Sequence, residues 1–237
     1  MWRLVAPRFE ATHRVVLFDH IGCGGGGAGA FDAARHQTLE GYADDVIELI
    51  ASLRLRAVTF VGHSMSGAIG AIVAARAPQL VARLVLVAST PCFLDHLPAY
   101  RGGFSETDLR GFLELMESNF LGWAHAIATA ASPDHSIAEE IERNLGALDR
   151  GFARSLAEVV MRCDVRPWLP RVKVPALVVQ CTRDDLVPVS VGEFLASEMP
   201  RGQLRLLEAA GHAPQISHPR EVEGFVREAL ELAGAAP

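Results

Sequence analysis

The stretch Val58-Thr59-Phe60-Val61-Gly62-His63-Ser64-Met65-Ser66-Gly67 decides the reading of this chain. A short apolar run ends in a Gly-x-Ser-x turn, and a run rich in small residues follows at once. That is the sequence form of a nucleophile elbow, a strained strand-to-helix turn that holds a serine hydroxyl out at the edge of a sheet. Ser64 is therefore a candidate nucleophile, and the amide of Met65 a candidate donor to an oxyanion. The fifth position of the motif is Ser66, where the usual pattern has glycine. Serine is small enough to let the helix sit close to the strand. Taken alone, the same string also describes an ordinary capped helix start.

Working outward, Arg14-Val15-Val16-Leu17-Phe18-Asp19 reads as a buried strand that ends in a polar residue. The tract Gly22-Cys23-Gly24-Gly25-Gly26-Gly27-Ala28-Gly29 reads as a loop too flexible for regular structure. A helix is predicted next, with Thr38 as N-cap and Leu39, Tyr42, Val46, Leu49, Ile50 and Leu53 at helical spacing. The elbow helix runs to about residue 77, where Pro78 stops it. Apolar runs at residues 84–88, 176–180 and 204–207 predict further strands, and residues 221–232 a last amphipathic helix. Strands alternating with helices predict an α/β fold with a mostly parallel sheet covered on both faces.

Residues 105–163 break the alternation. They read as four short helices, at about 106–118, 119–131, 137–148 and 151–162. Ser105 with Asp108, and Ser136 with Glu139, resemble capping boxes. The chain thus divides into core residues 1–104, a helical lid at 105–163 and core residues 164–237. An insert at that point would lie over the carboxyl ends of the strands, where ligands bind in open α/β sheets.

A serine nucleophile needs a base, and the base needs an orienting carboxylate. Both follow predicted strands. Cys181-Thr182-Arg183-Asp184-Asp185-Leu186-Val187-Pro188 offers two acids, and the usual place four residues before the proline selects Asp184 over Asp185. Ala210-Gly211-His212-Ala213-Pro214 offers the base, His212, after a glycine that lets the chain turn. The chain order serine, aspartate, histidine is that of α/β-hydrolases. His63 reads either as a pocket residue or as a packed, hydrogen-bonded histidine. His218 reads as the start of the last helix, and Trp123 as either core or pocket wall.

Composition limits the alternatives. The 237 residues suit a single domain with an insert; half are apolar and 21% charged, as in a globular chain. A net charge of −6 without any Lys/Arg block argues against a nucleic-acid partner. No apolar run is long enough for a membrane span, and residues 1–7 lack the apolar core of a signal peptide. Cys23, Cys92, Cys163 and Cys181 show no metal-type spacing and read as small apolar residues in a reducing cytoplasm. No cofactor or metal is expected.

Beyond these motifs, the chain resembles the RsbQ-type α/β-hydrolases, bacterial stress-signalling proteins related to the karrikin and strigolactone receptors of plants. The resemblance is carried by Trp2-Arg3-Leu4-Val5-Ala6-Pro7, Tyr42-Ala43-Asp44-Asp45-Val46, the elbow, Pro91-Cys92-Phe93-Leu94, Tyr100-Arg101-Gly102-Gly103-Phe104, Ser118-Asn119-Phe120-Leu121-Gly122-Trp123-Ala124 and Gly211-His212-Ala213-Pro214-Gln215-Ile216-Ser217-His218-Pro219. A serine at the fifth elbow position is usual in that group. The resemblance implies a V-shaped four-helix lid over an apolar pocket, lined at His63, Phe93, Trp123 and Met161. It also implies a Ser64–His212–Asp184 triad, a small apolar ligand or ester, slow hydrolysis, and a PAS-domain phosphatase as partner.

The chain departs from that family in two places. The glycine tract has Gly26-Gly27-Ala28-Gly29 where the family carries a Ser-Asp pair. Family members also have roughly thirty further residues before the match to Met1, with the first strands and a loop that gives the second oxyanion donor. Met1 is on this reading an internal start. A missing donor would cost about 10²–10³ in rate, and a missing central strand would leave residues 14–19 and 57–61 either paired directly or with unpaired backbone. Three functions stay open: an esterase or lactonase, a ligand sensor with little turnover, and a catalytically impaired hydrolase. Other chemistry on the same fold stays open as well.

Overall fold

The computed structural model describes residues 1–24 and 31–232. In chain order the elements are α1 (Leu39–Ser52), β1 (Val58–His63), α2 (Met65–Arg76), β2 (Val81–Val87), α3 (Glu106–Ser118), α4 (Phe120–Ala131), α5 (His135–Gly146), α6 (Arg150–Arg162), β3 (Ala176–Arg183), α7 (Val189–Glu198), β4 (Gly202–Ala210), α8 (Pro214–Ser217) and α9 (Pro219–Glu231). The four strands form one sheet in the order β1-β2-β3-β4, all parallel.

The apolar runs are explained by the two layers they separate. Alternate residues of the central strands, Leu84, Leu86, Ala176 and Val178, pack with α1, α2 and α7 on one face. Their neighbours Val85, Val87, Leu177 and Val179 pack with Val222, Val226 and Ala229 of α9 on the other. Period-two alternation with both sides buried leaves no solvent face, so these strands read as unbroken apolar segments. Helix α2 is buried along most of its length because it lies between α1 and the sheet. A Cβ on Gly70 would stand 2.6 Å from the Phe60 ring, so glycine there permits the close approach.

The expected first strand is not a strand. Residues 14–19 have no regular secondary structure, and Leu17 and Phe18 are exposed. Among the described residues the sheet ends at β1, which pairs with β2 alone. An apolar run becomes a strand only when main-chain partners lie beside it, and among the described residues none pairs with this run. The expectation for Gly25-Gly26-Gly27-Ala28-Gly29 lies outside the described residues. Gly22 and Gly24, which are described, both have positive φ.

The insert forms four helices over residues 106–162, with a small core of its own built on Met116, Phe120, Trp123, Ala124 and Ala153. Ser105 and Asp108 form the expected capping box: the Asp108 amide donates to Ser105 Oγ and the Ser105 amide to Asp108 Oδ2. The second box does not form. Helix α5 begins two residues earlier, because the Asp134 carboxylate accepts from the amides of Ser136 and Ile137 and so takes the cap position. Asn119 and Asp149 cap α4 and α6.

These caps give a stability test. Ser105→Ala and Asp134→Ala should each lower the unfolding free energy by about 1 kcal/mol in urea titrations, with Ser136→Ala costing less than Asp134→Ala. Equal losses at positions 134 and 136 would contradict the cap assignment.

Candidate active site

Ser64 sits between β1 and α2 with φ 52° and ψ −123°. Positive φ is costly for a residue with a Cβ, and the surroundings must enforce it. Two glycines do so. A Cβ on Gly62 would lie 2.6 Å from the Gly67 amide, and one on Gly67 would overlap Ser89 Oγ. The turn is thus closed so tightly that neither flank tolerates a side chain, and the hydroxyl is held clear of both elements. The Met65 amide at the first turn of α2 has no hydrogen-bond partner among the described residues. It adds to the positive end of the α2 dipole.

His212 reaches the serine from the end of β4. Its Nε2 lies 2.9 Å from Ser64 Oγ and its Nδ1 lies 2.8 Å from Asp184 Oδ2. Asp184 follows β3 and its side chain is fully buried. Its other oxygen accepts from the amides of Leu186 (2.9 Å) and Val187 (3.1 Å). Burial works to raise the Asp184 pKa, but the hydrogen bond and charge interaction with His212, and the two amides, outweigh it and hold the carboxyl below its ordinary value. An ionised Asp184 can only accept, so Nδ1 of His212 carries a proton and Nε2 is free to accept from the serine. Asp185 makes no contact of this kind; the structure brings Asp184 to the histidine.

The main chain of His212 is held at both ends. Its amide donates to the carbonyl of Ala131 in the lid (2.7 Å), and its carbonyl accepts from His63 Nε2 (2.6 Å). Gly211 before it has φ 101°, and a Cβ there would press on the same Ala131 carbonyl at 2.7 Å. Burial, then repulsion from His212, lowers the His63 pKa to about 3. His63 is therefore a neutral donor that anchors the base loop, the packed alternative of the two left open by sequence.

The other expected pocket positions divide. Phe93 and Met161 are buried in the main core cluster. Trp123 is buried in the core of the lid, stacked on Phe120 at 5.4 Å and edge-on to Phe112 at 5.8 Å. His218 occupies the N-cap position of α9, as its sequence context suggested. Sequence reasoning passed over His20. Its Nε2 lies 2.9 Å from Ser66 Oγ, which ties the residue 20–24 turn to the elbow, and burial lowers its pKa to about 4. Its place directly after the Asp19 end of an apolar run was the only signal. Among the described residues, no group of three or more metal-binding side chains is placed to hold an ion, and no helix is long and apolar enough to cross a membrane.

Known proteins resemble this chain in sequence and in fold. A model of the alpha/beta hydrolase family matches residues 1–225. A probable esterase of rice (Oryza sativa subsp. japonica) is 36% identical over 223 residues, covering 92% of this chain and 82% of the rice protein. A strigolactone esterase of Arabidopsis thaliana is 34% identical over 232 residues, covering 97% and 86%. The solved structure of a hydrolase from Oleispira antarctica superposes with a TM-score of 0.91 at 30% identity, covering 95% of this chain and 85% of that one. The chain belongs to the alpha/beta hydrolase family.

The two depressed histidines set a pH dependence. Both stay neutral in the folded chain below the ordinary imidazole value of 6.5, whereas the unfolded chain takes up protons there. Stability is full above pH 6.5 and should fall as the pH drops toward 4, by at most about 1.4 kcal/mol per pH unit for each ring. Asp184 adds a further loss only below the ordinary carboxylate range. NMR should find both rings still neutral at about pH 5.5; titration near the ordinary value would contradict the assignment.

Proposed function

We propose that this chain is a serine hydrolase that cleaves a small apolar ester or lactone through Ser64, His212 and Asp184. The observation that carries the reading is the 2.9 Å contact between Ser64 Oγ and His212 Nε2, made by a serine in a strained elbow. In the reaction Ser64 Oγ attacks the ester carbonyl carbon while its proton passes to His212 Nε2. The Met65 amide donates to the resulting oxyanion. As the intermediate collapses, the C–O bond breaks and the leaving alcohol takes the proton from His212, which leaves an acyl-serine. Water then attacks the acyl carbon with His212 as base and restores the hydroxyl. Asp184 holds the imidazole in the tautomer this needs.

The names of the rice and Arabidopsis relatives support ester chemistry, and the second supports a lactone-bearing substrate. A second reading is favoured by the family-specific stretches Gly102-Gly103-Phe104 and Gly122-Trp123-Ala124: a stress-signalling ligand sensor that turns over slowly and docks a PAS-domain phosphatase in the cytoplasm. Both readings use the same triad, and they separate on rate. A hydrolase repeats its cycle, whereas a sensor stops near one acylation per chain.

The test is hydrolysis of p-nitrophenyl acetate. Ser64→Ala should lower kcat by about 10³-fold or more, Asp184→Asn by about 10²–10⁴-fold, and Asp185→Asn by less than about twofold. Full activity in Ser64→Ala, or equal losses at positions 184 and 185, would overturn the assignment.

A further inference from the structure

Gln180 lies in β3 four residues before Asp184, on the same face of the sheet as Ala176 and Val178. It is fully buried, a polar side chain at the end of an apolar run. A Cβ on Gly192 of α7 would press on Gln180 Cβ and Cγ at 3.1 and 3.3 Å, so that helix lies close against the glutamine.

The side-chain amide has two acceptors beside it. Nε2 donates to the Val187 carbonyl at 2.9 Å and to Asp184 Oδ2 at 3.3 Å. A carbonyl and an ionised carboxylate can only accept, so the nitrogen and not the oxygen of the amide faces them. Oε1 is buried without a hydrogen-bond partner among the described residues. A buried amide satisfied at one end only is a cost to the fold, and a methionine would fill the same slot without that cost. Packing therefore does not account for a glutamine here.

The contact with Asp184 does. A carboxylate has about four lone-pair directions. Leu186 and Val187 amides occupy Oδ1, while His212 Nδ1 and Gln180 Nε2 share Oδ2. Turning the carboxylate would break bonds on both oxygens. Without Gln180, Oδ2 would be held only by the histidine it has to orient. We propose that Gln180 is a positioning residue of the hydrolytic reaction: its amide fixes the plane of the Asp184 carboxylate, so that Oδ2 stays aimed at His212 Nδ1, and ties the Val187 carbonyl so that the acid loop stays closed. This role rests on the Ser64–His212–Asp184 reading. No other charge enters the contact. His63 at the end of β1 is neutral, and burial pushes the Cys181 thiol of β3 up to about 12. Gly192 on α7 carries no charge, and Arg183, Asp185 and Glu193 are exposed.

The test is a double-mutant cycle on p-nitrophenyl acetate hydrolysis by the full chain. Gln180→Met keeps the length and removes the donor. It should lower kcat by about tenfold, with KM changed by less than about twofold. In an Asp184→Asn background the same substitution should change kcat by less than about twofold, because the carboxylate it positions is gone. Gln180→Glu keeps the shape and serves if Gln180→Met folds poorly. Two carboxyl groups at this distance do not both ionise freely, so the kcat profile should gain one titration between about pH 5 and 9 that is absent when Asp184→Asn is added. Equal losses in both backgrounds, or an unchanged profile in Gln180→Glu, would make Gln180 a packing residue and overturn the proposal. A wild-type rate in Asp184→Asn alone would instead remove the triad reading, and this role with it.

Discussion

The peptide unit of His212 is the fixed point on which the site depends. Its side chain bridges Ser64 and Asp184, and its main chain is pinned by Ala131 on one side and His63 on the other. Four separate parts of the chain thus meet at one residue: the end of β1, the end of β3, the end of β4 and the lid. A carbonyl or amide left unpaired in such a place costs on the order of 1–3 kcal/mol, so the bonds favour a single arrangement. The lid is therefore tied to this arrangement, since a shift of α4 would move the Ala131 carbonyl that holds the His212 amide. The neutrality of His63 belongs to the same arrangement, since a neutral ring still donates to the His212 carbonyl without placing a charge in this buried spot.

The parallel sheet makes this meeting possible. Strands β1, β3 and β4 run the same way, so their carboxyl ends lie together, and Ser64, Asp184 and His212 each follow one of them. The cost falls on β1. It carries Ser64, held at φ 52°, at its end and among the described residues pairs with β2 alone.

Much of this was legible in the residues. The elbow, the four paired strands and the triad positions follow from local rules: apolar runs, glycine at a tight turn, polar groups just past a strand. The lid helices were legible to within two residues for the same reason. What failed was non-local. Residues 14–19 carry a strand's composition, but a strand is a relation between two segments, and nothing in that run tells whether a partner lies beside it. Ser136 resembled a cap because Glu139 stands three residues on; Asp134 won because its carboxylate reaches two amides at once. Trp123 could have faced a cavity or the lid core, and only packing against Phe120 and Phe112 decides. His20 escaped notice because its partner, Ser66, is distant in sequence.

The central claim is that Ser64 is a nucleophile activated by His212. The most direct measurement is intact-mass spectrometry after brief exposure to a fluorophosphonate, followed by peptide mapping. The account predicts one adduct per chain, located on Ser64 and formed far more slowly in His212→Ala. An unmodified folded chain, or labelling of Ser64 at the same rate without His212, would contradict it.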